Sequence, residues 1–224
     1  MSNETRVKVV EHILSANDEI AAQNRALLNQ HGILAVNIMA SPGAGKTCLI
    51  LATIEALRGR ARIGVIEGDI ASRLDADRVA EAGVPAVQIN THGTCHLEAA
   101  MVQKAIQQLP LAELDLVFIE NVGNLICPSE WDLGEHRRVV LASIPEGDDK
   151  PYKYPGIFIR ADAVVISKVD LLPYLPFRLA EFRALVQGLN PTARIFQVSA
   201  TTKEGIGDWA DWLVGADLCV RPSA

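Results

Sequence analysis

The run Ala40-Ser41-Pro42-Gly43-Ala44-Gly45-Lys46-Thr47 places two glycines, a lysine and a threonine between an apolar strand-like segment and a helix-like one. That spacing suits a phosphate chain. Gly43 and Gly45 let the backbone N–H groups of Gly43, Ala44, Gly45, Lys46, Thr47 and Cys48 close around phosphate oxygens, where a helix N-terminus adds partial positive charge. Lys46 reaches toward the β- and γ-phosphates, and the Thr47 hydroxyl is a ligand for Mg²⁺. Ala40 stands where such loops usually carry their first glycine, and the Gly-Lys-Thr end is intact.

A phosphate loop does not choose a base. The run Ile166-Ser167-Lys168-Val169-Asp170, directly after an apolar segment, supplies that chemistry. The Asp170 carboxylate can accept from the N1–H and N2–H₂ edge of guanine, which adenine cannot offer, and the Lys168 stem can lie along the base plane. Ser167 stands where this motif usually has an asparagine. Val198-Ser199-Ala200 follows another apolar segment and adds Ser199 and Ala200 as a loop whose backbone approaches guanine O6. The order of these signals and their places at strand ends point to GTP and GDP.

Acidic residues at strand ends are candidates for Mg²⁺ and for the attacking water. Glu120 opens Glu120-Asn121-Val122-Gly123, where Gly123 can donate its N–H to a γ-phosphate and act as a switch. Asp69 ends Glu67-Gly68-Asp69, and Asp75 follows six residues later. Mg²⁺ keeps several waters, so Thr47 with one or two of Asp69, Asp75 and Glu120 suffices. Asp75 serves equally well as a helix N-cap. The catalytic candidates are Lys46, Asp69 and Glu120.

A second chemistry lies in Gly93-Thr94-Cys95-His96-Leu97 and in Asn124-Leu125-Ile126-Cys127-Pro128. Cys95, His96 and Cys127 can converge on a soft or borderline metal ion. On spacing alone, a buried thiol beside a capping histidine fits the same residues.

The elements that must hold these groups are legible as alternating runs. Strand-like segments fall at 33–39, 61–66, 86–90, 114–119, 138–143, 163–166 and 193–198, with helical patterns between them. Short continuous apolar runs of this kind predict an α/β fold, a mostly parallel sheet with helices on both faces. Residues 1–30 form a helical segment before a domain at 31–224, and a last helix from about Ile206 carries Trp209 and Trp212, expected to pack on the sheet. The polar stretch from Gly147 to Pro151 reads as a functional loop.

Composition fits an α/β domain with a sizeable core: 49% of the 224 residues are apolar. A net charge of −6 argues against a nucleic-acid surface. The chain shows no signal pattern and no membrane-spanning run, and its four cysteines are too scattered for a disulfide framework, so a cytoplasmic setting is expected.

Taken together, Ser41–Thr47, Cys95-His96-Leu97, the run from Glu120 to Pro128, Pro145–Pro151 and Lys168–Tyr174 resemble the HypB family of GTPases, which assist nickel insertion into [NiFe] hydrogenase. The family lies in the signal-recognition and MinD-related (SIMIBI) branch of P-loop NTPases. The resemblance covers most of the chain beyond the N-terminal helix. It implies a Ni²⁺ or Zn²⁺ site on Cys95, His96 and Cys127 at the interface of a GTP-favoured homodimer. It also implies a HypA-type nickel chaperone and a hydrogenase large-subunit precursor as partners. Some members carry a cysteine-rich N-terminal nickel motif or a histidine-rich tract; with Cys48 as first cysteine and five dispersed histidines, tight N-terminal nickel storage is not expected. A urease-accessory GTPase of the UreG type normally has Cys-Pro-His in its switch region, whereas here Cys127-Pro128 is followed by Ser129. A metal-binding module that has lost hydrolysis would not need Lys46, Thr47, Asp69 and Glu120 intact.

Overall fold

The seven apolar runs become seven parallel strands of one sheet: β1 (Leu34–Ala40), β2 (Ile63–Asp69), β3 (Ala86–Asn90), β4 (Leu116–Glu120), β5 (Arg137–Ser143), β6 (Ala163–Ser167) and β7 (Arg194–Val198). The computed structural model describes residues 3–69, 79 and 81–215, with side chains from residue 14 onward. Asp75 and Cys219 lie outside the described residues. The strand order is β3-β2-β4-β1-β5-β6-β7. β1 has neighbours on both sides reached by crossovers in opposite directions, so a crevice opens at its carboxyl end, where the phosphate loop begins.

Helices α1 (Asn3–Gln30), α2 (Lys46–Ala56), α3 (Ala99–Ile106), α4 (Lys150–Lys153), α5 (Pro155–Ile159), α6 (Leu179–Leu189) and α7 (Ile206–Gly215) cover the two faces. Side chains alternate along a strand, and β1 shows the consequence. Val36, Ile38 and Ala40 pack with Leu49 and Ile50 of α2 and Trp209 of α7. From the opposite face, Ala35 packs with Leu28 of α1 and Val102 of α3, while Met39 packs with Phe158 of α5 and Phe182 of α6. Burial on both faces is why these strands read as continuous apolar runs rather than as alternation. Trp209 is buried as expected, and its Nε1–H donates to Thr53 Oγ1 at 2.9 Å.

α1 is fastened by polar side chains rather than by an apolar stripe alone. Asn24 donates to the carbonyls of Ala99 and Leu133, Asn17 accepts from the Ala99 N–H, and Arg25 grips both oxygens of Asp132 at 2.7 and 2.9 Å. Gly134, at φ +90°, lies so close to α1 that a Cβ would stand 2.5 Å from the Ala21 carbonyl oxygen. The stretch from Gly147 to Pro151 is not wholly loop. Its last two residues open α4, where Pro151 occupies an early helical position that needs no N–H partner. Among the described residues, no helix is long and apolar enough to cross a membrane.

Candidate nucleotide and metal site

Gly43 and Gly45 turn the chain out of β1 with φ of +75° and +101°, the left-handed region that glycine enters without a side-chain clash. Gly45 is the N-cap of α2, so the first free N–H groups of that helix face the crevice. Lys46 and Thr47 follow at once, both buried. The Thr47 hydroxyl donates to Glu120 Oε1 at 2.9 Å, joining the phosphate loop to the end of β4. Glu120 lies level with Ile38 of β1 and with Glu67 of β2. Glu67, which the sequence reading did not select, is buried at 4% exposure. Its signal was available: it falls in phase with buried Ile63 and Val65, so its carboxylate shares the α2 side of the sheet with Glu120. Asp69 is on that same side, half-buried at the end of β2.

Three of the candidate base readers, Lys168, Asp170 and Ala200, meet beside the phosphate loop. A cavity of about 170 Å³ is lined by Ala44, Gly45, Cys48, Lys168, Asp170 and Ala200, among others. Ser167 is buried and donates to the Ala44 carbonyl oxygen at 2.8 Å, so the hydroxyl found in place of the usual amide still ties β6 to the phosphate loop. Lys168, at φ +60°, donates to the Gly43 carbonyl at 2.8 Å. Ser199 is fully buried and does not line the cavity; its Oγ accepts from the Thr202 N–H and shapes the loop that presents Ala200.

Cys95, His96 and Cys127 come together as the spacing suggested they could, their ligand atoms all within 4.8 Å of one another. Cys95 and His96 sit in the turn that precedes α3, and Cys127 opens a single 3₁₀ turn beyond β4. The two sulfurs stand 3.0 Å apart without a disulfide, and His96 Nδ1 lies 3.7 Å from Cys95 Sγ. The neighbouring Cys127 thiol, followed by burial, holds the Cys95 thiol above its usual range. Burial lowers the His96 pKa, with Glu98 opposing, which favours the neutral imidazole a metal requires. Two thiolates on one tetrahedral ion with bonds of about 2.3 Å stand about 3.8 Å apart. Opening the pair by under about 1 Å therefore seats a divalent ion, and two thiolates with an imidazole suit Ni²⁺ or Zn²⁺. Trp131, outside the sequence-selected set, stacks on the His96 ring at 4.5 Å between centroids.

Asparagines join the two sites. Asn121 Oδ1 accepts from the Leu97 N–H at 3.2 Å, and Asn124 Nδ2 donates to the Cys95 carbonyl at 3.3 Å. Leu97 is itself pressed onto β2, where a Cβ on Gly68 would stand 2.7 Å from its side chain. Gly123 lies against Pro42 of the phosphate loop, its missing Cβ 3.0 Å from the Pro42 Cα.

Residues 34–197 match the family model described as "CobW/HypB/UreG, nucleotide-binding domain". The chain is 44% identical over 227 residues to the hydrogenase maturation factor HypB of Azotobacter chroococcum mcd 1, covering all of this chain and 74% of that protein. This chain belongs to the HypB family. Among solved structures, HypB from Helicobacter pylori in complex with nickel superposes with a TM-score of 0.85 at 41% identity, covering 89% of this chain and 94% of that one. The signal recognition particle receptor FtsY of Elizabethkingia anophelis, at 14% identity and a TM-score of 0.58, shares the fold alone, over 95% of this chain and 81% of its own. HypB membership makes the chain a hydrogenase maturation factor with a P-loop nucleotide-binding domain.

Proposed function

We propose that this chain is a GTP-hydrolysing metallochaperone that carries Ni²⁺ toward a [NiFe] hydrogenase precursor. The observation that carries this reading is the contact of Gly123 with Pro42, because Cys127 lies only four residues farther along the same segment. A γ-phosphate held by the phosphate loop then bears on the backbone that presents a metal-binding thiolate. A nickel-bound HypB of the same fold from Helicobacter pylori supports the cargo, and the thiolate-rich donor set accepts Zn²⁺ as well.

Hydrolysis needs little covalent chemistry from the protein, since phosphoryl transfer is accelerated mainly by positioning and electrostatics. Lys46 and the amides from Gly43 to Cys48 hold the phosphate oxygens. Thr47 with Glu120, Asp69 and Asp75 are the candidate holders of Mg²⁺, which when bound would supply positive charge for phosphoryl transfer. Asp69 or Glu120 orients the attacking water, and Gly123 donates its N–H to the γ-phosphate. Asp170, Lys168, Ala200 and the loop shaped by Ser199 select guanine. Three good ligands per chain are one short of a closed tetrahedral site, which favours a GTP-stabilised homodimer sharing metal. A HypA-type chaperone and the hydrogenase large-subunit precursor are the partners, in the cytoplasm.

Titration of Ni²⁺ and Zn²⁺ into the GDP-bound and GTP-analogue-bound protein tests this, with Cys95→Ala and Cys127→Ala as controls. Affinity should differ between nucleotide states and collapse in both variants. Equal affinity in the two states refutes the coupling, and unchanged affinity in the variants refutes the site.

A further inference from the structure

We propose that Glu98 positions His96 for metal binding: its carboxylate accepts the Nε2–H of His96 when Nδ1 takes the ion. The proposal rests on the reading of Cys95, His96 and Cys127 as a divalent-metal site. His96 Nδ1 is the nitrogen turned toward the thiols, 3.7 Å from Cys95 Sγ. Nε2 is buried without a hydrogen-bond partner. The carboxylate facing it is Glu98, whose Oε1 stands 3.9 Å away.

A neutral imidazole has one lone pair and one N–H, so an ion on Nδ1 puts the proton on Nε2. That N–H would then be a buried donor needing an acceptor. At 3.9 Å the Glu98 oxygen is beyond hydrogen-bond reach, and a side-chain rotation of about 1 Å closes the gap. Glu98 has that freedom, because its side chain is 40% exposed. It is also the N-cap residue of α3, yet its side chain makes no cap hydrogen bond; its backbone carbonyl accepts from Met101 and Val102 instead. Trp131, stacked on the imidazole with 25° between the planes, limits how the ring can tilt and so fixes where Nε2 points. A carboxylate behind a histidine ligand fixes the tautomer and raises donor strength, and its loss typically costs 10–100-fold in metal affinity.

The test is chelator-competition titration of Ni²⁺ and Co²⁺ into the wild-type chain, Glu98→Ala and Glu98→Gln, each also built with His96→Ala. Glu98→Ala should weaken binding by about 10–100-fold, with Glu98→Gln between, since the amide keeps an acceptor oxygen but loses the charge. With His96 already removed, Glu98→Ala should add no further loss, while thiolate-to-metal absorption per bound ion stays in place. Wild-type affinity in Glu98→Ala, with binding still dependent on Cys95 and Cys127, overturns the role of Glu98 alone. An equal loss with and without His96 also overturns it, making Glu98 a direct ligand or a fold element. Metal binding indifferent to Cys95→Ala and Cys127→Ala overturns the cluster, and this proposal with it.

Discussion

The Thr47 hydroxyl donates to Glu120 Oε1 across 2.9 Å, so the first turn of α2 and the end of β4 are joined by a buried hydrogen bond. With the proton committed to Glu120, the Thr47 lone pairs are left for a cation at the phosphate loop. Thr47→Ala removes the candidate Mg²⁺ ligand and one hydrogen bond to the buried Glu120 side chain, a loss of about 1 kcal/mol in stability. GTP turnover followed against Mg²⁺ concentration should need far more Mg²⁺ in Thr47→Ala. In Glu120→Gln turnover should fall while the fold persists. A wild-type Mg²⁺ profile in Thr47→Ala would contradict the assignment.

Asp170 shares its cavity with Lys168 and Ala200, and its carboxylate is the group proposed to read guanine. Asp170→Asn sets an amide against two N–H donors and should weaken GTP by about 2–4 kcal/mol. Competition binding of GTP, XTP and ATP checks it, with XTP gaining relative to GTP in the variant. Equal wild-type affinity for ATP and GTP is the outcome that excludes guanine selection.

Gly123 has no room for a side chain: a Cβ would come within 2.9 Å of Pro42 Cγ and 3.0 Å of its Cα. Gly123→Ala must move the segment leading to Cys127 away from the phosphate loop. Misplacement of about 1 Å can cost up to about 100-fold in rate. Single-turnover GTP hydrolysis should therefore slow with little change in far-UV circular dichroism, and the difference in metal affinity between GDP and GTP-analogue states should shrink.

Asp132 gives the docking of α1 a pH dependence. Burial raises its pKa, but the Arg25 guanidinium and the Gly134 N–H more than offset this and leave it lowered. A lowered folded pKa stabilises the fold above the unfolded carboxylate value of about 3.9, and that contribution is lost as pH falls through the folded value. Allowing for partial solvent screening, the pair is worth ~1 kcal/mol near neutral pH. Urea unfolding of wild type and Asp132→Asn should differ by that amount near pH 7 and converge in acid, as pH falls through the lowered folded value. A difference that persists in acid would assign the effect to packing.

The candidate chemistry could be read from the sequence because it depends on residue type and order. Glycines that enter the left-handed region, a lysine and a threonine at a helix start, and Lys168 two residues before Asp170 are local patterns. The parallel sheet was equally legible, since β1, β4 and β6 are buried on both faces and read as unbroken apolar runs. What sequence spacing left open was whether Cys95 and His96 ever meet Cys127. Thirty-two positions separate the two thiols, and only the neighbouring of β2 with β4 and the seating of Leu97 on Gly68 bring them together. Glu98, Asn121 and Trp131 became visible only with the tertiary structure, because their contacts lie in what they face across turns. Local covalent order determines which groups can bind phosphate or metal. Which of them share one site is decided by strand order and by close packing at glycines, and those are properties of the folded chain alone.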